Sequence, residues 1–198
     1  MSSLFSNKRF FHSRGFTLVE LMVTIGIFVF MTVLTLAKYN NFYSGTIFTN
    51  LAYDIALTIR QAQTYGLSVK VVDTGTPTFG SAYGVRFKNI DTTEAKKFGL
   101  YSYTRVSGTY VPALEKNYNI KRGAYVSKLC TDIACTFPIT GTVDVIFQRP
   151  NPEAIICVTP SIGSYTCTDR YIKIEITSSD GSATHTIEVN SVGQILVN

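Results

Sequence analysis

Residues 16–37, FTLVELMVTIGIFVFMTVLTLA, form a run of 22 residues with one charge, Glu20. As a helix this run is about 33 Å long, which matches the hydrocarbon core of a bilayer. The apolar pattern then thins without stopping. Residues 38–65 contain no proline, and Ile47, Leu51, Ile55, Ile59 and Ala62 recur at steps of four, four, four and three. Phe48, Ala52 and Ala56 widen the stripe, while Asp54, Arg60 and Gln61 fall on other faces. This spacing predicts an amphipathic helix with one core-facing side. Gly45 is its weak point, costing about 1 kcal/mol relative to Ala, and Gly66 is placed to cap its C-terminus. Residues 16–65 therefore read as a single helix about 75 Å long, lipid-soluble in its first half and one-sided in its second.

After Gly66 the pattern changes to short strands and turns. Strands are predicted near residues 67–72, 82–87, 98–105, 124–129, 142–148, 154–159, 171–177, 184–189 and 194–197. Tyr171-Ile172-Lys173-Ile174-Glu175-Ile176 alternates cleanly, with the three isoleucines on one face. Asp180-Gly181 follows it as a hairpin turn, and Arg149-Pro150-Asn151-Pro152 separates two further strands. Residues 106–123 give no clear pattern. The chain shows no internal repeat and no flexible linker. The expected fold class is α+β: a long N-terminal helix packed on a C-terminal antiparallel β-sheet domain.

Composition adjusts this picture in two places. The formal charge of +5 suggests an acidic partner, but Lys8, Arg9 and Arg14 lie in a 15-residue start that has no acid. Without those three, 15 Lys and Arg face 13 Asp and Glu, so nucleic acid is a possible partner that the charge distribution does not support. The same three cations hold the start of the chain in the cytoplasm and send residues 38–198 outside. An ordinary secretory signal is the competing reading, with Thr35-Leu36-Ala37 as its cleavage site. Against it, the apolar run is longer than a typical signal core and carries a carboxylate.

The four cysteines, Cys130, Cys135, Cys157 and Cys167, suggest disulfides in a chain sent outward. Of the three possible pairings the local one, Cys130–Cys135 with Cys157–Cys167, closes two short loops rich in turn residues. A four-thiolate zinc site and reduced, buried thiols remain open alternatives; the C-x4-C and C-x9-C spacings are looser than usual for structural zinc.

Catalytic chemistry finds little support. Of the two histidines, His12 lies in the basic start and His185 in a predicted strand, and no nucleophile elbow accompanies either. No phosphate loop is present, and Asp91, Glu94, Asp169 and Asp180 are scattered without a calcium-loop pattern. No cofactor and no metal is expected. The 12 Tyr and 13 Phe read as sheet packing before they read as an adhesive surface.

The segment Arg14-Gly15-Phe16-Thr17-Leu18-Val19-Glu20-Leu21 resembles the cleavage and methylation signature of type IV prepilins and type II secretion pseudopilins. The resemblance implies a peptidase cut between Gly15 and Phe16, N-methylation of Phe16, and an assembly role for Glu20 as fifth residue of the mature chain. Residues 50–62 and 187–197 are similar to minor pilins and H-type pseudopilins. Two departures stand out: no proline interrupts the apolar helix, where Gly26 is the only weak spot, and the end of the chain is uncharged, unlike that of some DNA-binding minor pilins. The chemistry fits the residue types independently. Gly15 lets a protease approach the backbone, and an acid in an inserted helix costs roughly 2.5–3.5 kcal/mol at its centre, so Glu20 invites a partner.

The implied organisation is a leader at 1–15, a transmembrane assembly helix at 16–37, its amphipathic continuation at 38–66 and a β-rich pilin domain at 67–198. The implied function is that of a structural, minor subunit of a type IV pilus or secretion pseudopilus, with a tip-located binding module as alternative. The implied partners are a prepilin peptidase, other pilin or pseudopilin subunits, a membrane assembly platform and, before assembly, lipid. The implied location is the bacterial cytoplasmic membrane and then an extracytoplasmic filament.

Overall fold

With no proline between residues 18 and 67 to interrupt the hydrogen-bond ladder, helix α1 runs unbroken over Leu18–Leu67 in the computed structural model of the protein. The structure describes residues 15–68, 81–89, 91, 93–121, 123–181 and 183–198, of which 37–47 by backbone only. The chain divides into two units, Met1–Ser44 and Gly45–Asn198. In the first, every described residue from Gly15 to Leu36 is exposed. Leu18–Leu36, 19 residues of mean hydropathy 2.3, is long and apolar enough to cross a membrane.

In the second unit the helical stripe meets two antiparallel sheets. The first has the order β3-β2-β1-β5-β6-β7, from strands β1 (Ala82–Asn89), β2 (Lys97–Val106), β3 (Thr109–Asn119), β5 (Gly141–Gln148), β6 (Asn151–Pro160) and β7 (Thr166–Asp169). The second has the order β10-β9-β8-β4, from β4 (Tyr125–Cys130), β8 (Tyr171–Thr177), β9 (Thr184–Asn190) and β10 (Ile195–Val197). Phe48, Ala52, Ile55, Ala56, Ile59 and Ala62 of α1 share one core with Val85, Phe87, Val143, Val145 and Phe147 of the first sheet and with Ile172, Ile174, Ile176 and Ile187 of the second. Leu51 packs against this core from its margin. Ile47, expected in the same stripe, lies outside the residues whose side chains are described. Each fully buried isoleucine contributes roughly 1.5–3 kcal/mol. Asp54, Leu57 and Arg60 lie on the exposed side of the helix.

Besides the short strand β7, which the sequence did not announce, three details differ from the sequence expectation. Leu67 ends the helix instead of opening a strand over 67–72, and residues 69–72 lie outside the described ones. Gly66 is a helical residue, not a cap: a Cβ there would lie 2.4 Å from the Phe147 carbonyl oxygen, so glycine is required for the close approach of helix to β5. The unpatterned stretch 106–123 holds an 11-residue strand, β3, at the edge of the six-stranded sheet. A two-residue turn leads into it, with Ser107 at φ 50 and Gly108 at φ 87, the left-handed pair that a tight hairpin needs. Pro112, which cannot donate to a sheet ladder, is accommodated on this edge strand, and most of the strand's positions are exposed, so it shows no continuous apolar row.

Candidate functional site

Gly15 to Thr17 precede the helix as irregular, exposed chain, and Phe16 is 76% exposed. The Gly15–Phe16 peptide is thus open on the folded side, and nothing lies within 4 Å of where a Gly15 side chain would stand. The basic residues Lys8, Arg9 and Arg14, and His12, lie outside the described residues.

Thr17 caps the helix. Its Oγ1 accepts the Glu20 backbone N–H at 3.3 Å, and its carbonyl accepts the Leu21 N–H at 3.1 Å. Glu20 falls in the first turn, where a carboxylate also favours the positive end of the helix dipole. The T-x-x-E pattern of a capping box stood in the sequence at Thr17 and Glu20 and identifies a role for Thr17 that the functional reading of the segment passed over.

The remaining polar groups of Leu18–Leu36 are satisfied from within. Thr24 Oγ1 donates to the Leu21 carbonyl at 2.9 Å, Thr32 to that of Phe28, and Thr35 to those of Met31 and Thr32 at 2.8 and 2.9 Å. Such back-bonding makes a threonine tolerable in lipid. The Glu20 carboxylate is the exception: it is the one charge in this exposed apolar segment and has no partner among the described residues.

The cysteines lie far along the chain from this segment and pair locally. Cys130, the last residue of β4, is bonded to Cys135, with Cα atoms 5.1 Å apart. Cys157 of β6 is bonded to Cys167 of β7, with Cα atoms 4.0 Å apart. No free cysteine and no group of His, Cys, Asp and Glu suited to a metal occurs among the described residues. His185 sits on β9 as a packing residue: its ring lies 5.1 Å from that of Phe48, Nε2 is 3.1 Å from Thr49 Oγ1, and Nδ1 is 3.2 Å from the Asn198 carbonyl oxygen.

Sequence reasoning missed a buried ion pair on the outer face of the six-stranded sheet. Arg86 Nε and Nη2 donate to the two carboxylate oxygens of Asp144 at 2.6 and 2.7 Å, and the Tyr103 hydroxyl donates to Oδ1 at 2.9 Å. Burial acts to lower the Arg86 pKa, but the hydrogen bond and charge of Asp144 outweigh it and hold the group above its ordinary value. Burial first, then the charge of Asp144, pushes the Tyr103 hydroxyl well up, so it remains a donor. Burial likewise pushes nearby Tyr165 to about 12.

Residues 11–36 match the prokaryotic N-terminal methylation motif. The chain carries the type IV pilin and pseudopilin signature. No match was found among curated proteins or among solved structures. The matched signature spans the exposed Gly15–Phe16 junction, the Thr17 cap, Glu20 and the apolar helix to Leu36. With the antiparallel sheets that follow, the layout is that of a pilin-like α+β protein. The signature supports a type IV pilin-like or pseudopilin subunit, structural in role, processed by a prepilin peptidase and assembled with other pilins.

Proposed function

We propose that the chain is a minor subunit of a type IV pilus or a type II secretion pseudopilus. A prepilin peptidase cuts it between Gly15 and Phe16 and methylates the amine of Phe16. The apolar helix then leaves the lipid through a membrane assembly platform and packs among the helices of neighbouring subunits. Before assembly its N-terminus faces the cytoplasm, a direction favoured by Lys8, Arg9 and Arg14 in a start without acids. The β-rich unit then lies outside, where an oxidising compartment suits two disulfides.

The observation that carries this reading is the Glu20 carboxylate, the single charge in an exposed, otherwise satisfied apolar helix inside the matched signature. A freed amine on Phe16, in the same or a neighbouring subunit, is the complementary charge. Removing one member of a buried pair costs about 3–5 kcal/mol. Glu20→Ala is therefore expected to insert, to be cut and to fold its outer unit, but to be depleted from filaments by about tenfold or more, since 1.4 kcal/mol is tenfold. Quantifying variant and wild type in sheared filaments and in membranes tests this. Equal incorporation of the two would overturn the pairing.

A further inference from the structure

The first sheet presents its inner rows to the core, and its outer face is a different surface. Register places Asn117, Gly99, Arg86, Asp144 and Cys157 in one cross-strand row from β3 to β6. A shallow groove of about 200 Å³ opens over part of this row, lined by Arg86, Lys88, Glu94, Lys97, Tyr101 and Asn117, with Gly99 among the lining residues. A Cβ on Gly99 would stand 2.7 Å from the Tyr101 ring, so the glycine lets that ring lie down against the strand.

Three features give the groove its chemistry. First, Arg86 is pinned from behind. One edge of its guanidinium is taken by Asp144, whose side chain is 1% exposed and is itself held by Tyr103. The other edge, with both Nη1 hydrogens and one on Nη2, has no hydrogen-bond partner among the described residues, and the group lies 5.1 Å from the Tyr101 ring centre. A guanidinium already fixed loses little freedom on binding a second planar acceptor. Second, Lys88 and Lys97 converge on one carboxylate, Glu94, at 2.8 and 3.8 Å. The Lys88 hydrogen bond, then the charges of Lys88 and Lys97, hold Glu94 below its usual pKa against the opposing charge of Asp91. Third, the Asn117 amide makes no hydrogen bond among the described residues and stands opposite Gly99 on β3.

We propose that this groove is a binding site for an oxyanion, a carboxylate or a phosphate, carried on a small hydroxylated ring such as a sugar acid or a sugar phosphate. The free edge of Arg86 takes the oxyanion in a bidentate pair, with Lys88 and Lys97 beside it. The Tyr101 ring flanks the ligand ring, and the Asn117 amide and the Glu94 carboxylate bond its hydroxyls. The groove is smaller than the pocket of a drug-sized ligand, which limits the ligand to a single small ring. A buried ion pair seldom adds stability over an apolar one; holding Arg86 at a groove floor gives Asp144 and Tyr103 a use that packing does not. The site stands on the groove alone and does not depend on how the chain assembles.

The test is isothermal titration of the full chain in zwitterionic detergent at about 0.15 M salt, where distant exposed charges are screened. The ligands are glucuronate, glucose 6-phosphate and neutral glucose. Saturable binding of either anion or both is expected, and none of glucose; which anion binds identifies the oxyanion. Lys88→Met with Lys97→Met, both partly exposed, is expected to leave the unfolding midpoint in place and weaken binding about tenfold or more. Arg86→Lys, which keeps the charge and loses the fork, is expected to weaken binding about tenfold or more as well. Absence of saturable binding by both anions, equal binding of glucose, or unchanged affinity in the lysine double variant would overturn the proposal.

Discussion

Asp144 is fully buried, and its charge is compensated by the Arg86 guanidinium and the Tyr103 hydroxyl. Asp144→Asn keeps the shape and removes the charge, leaving Arg86 with an uncompensated, largely buried cation. Because the Arg86 side chain retains 19% exposure, water offsets part of the loss. The expected destabilisation is about 2–4 kcal/mol, below the full cost of breaking a buried pair. Lys88→Met, which removes a partly exposed partner of Glu94, is expected to change stability by under about 0.5 kcal/mol. Urea unfolding of the detergent-solubilised chain measures both, and an Asp144→Asn variant as stable as Lys88→Met would show that the network contributes nothing. This pair was illegible in the sequence for a physical reason. Val85-Arg86-Phe87 and Val143-Asp144-Val145 each show a charge inside an apolar strand, but nothing local says that the two strands, 58 residues apart, are neighbours. The Thr17–Glu20 cap, by contrast, is a three-residue relationship and was fully present in the local pattern.

Among the elements, α1 was the most legible because its period is local and its stripe repeats for many turns. Ile59 is fully buried on that stripe, and Leu57, two residues away, is 61% exposed. Ile59→Ala is expected to cost about 2–5 kcal/mol through lost burial and the cavity left behind, and Leu57→Ala to change stability by less than about 0.5 kcal/mol. The same urea titration compares them; equal effects would mean that the helix does not dock by this face. The strands β1, β2, β4, β5, β6, β8, β9 and β10 were legible because each buries at least part of one face. β3 was not: an edge strand with a proline and most positions exposed has no need of an apolar row, and only Ser107-Gly108 announced it. β7 is four residues long, too short for a period, and Cys167 within it is bonded to Cys157 of the neighbouring β6. At Gly66, a cap and a close backbone approach both call for glycine, and the sequence cannot separate two causes that select the same residue.

For the whole molecule, what one chain leaves unfinished is informative. The second unit has its own core, its two disulfides and its hydrogen-bonded sheet network. The segment Leu18–Leu36 is exposed throughout, with threonines satisfied by their own helix and Glu20 unanswered among the described residues. In the proposed function lipid covers the apolar surface before assembly and neighbouring helices cover it afterwards, so the same residues serve as membrane anchor and as filament core. The central claim is that the start of the chain is a substrate as well as an anchor: residues 1–15 are removed and Phe16 receives a methyl group on its new amine. The intact mass of the protein purified from membranes of its own host tests this most directly. Loss of residues 1–15 together with one added methyl group on Phe16 is the expected result. A mature chain beginning at Lys38, as an ordinary secretory signal would leave, or an unprocessed chain beginning at Met1, would contradict it.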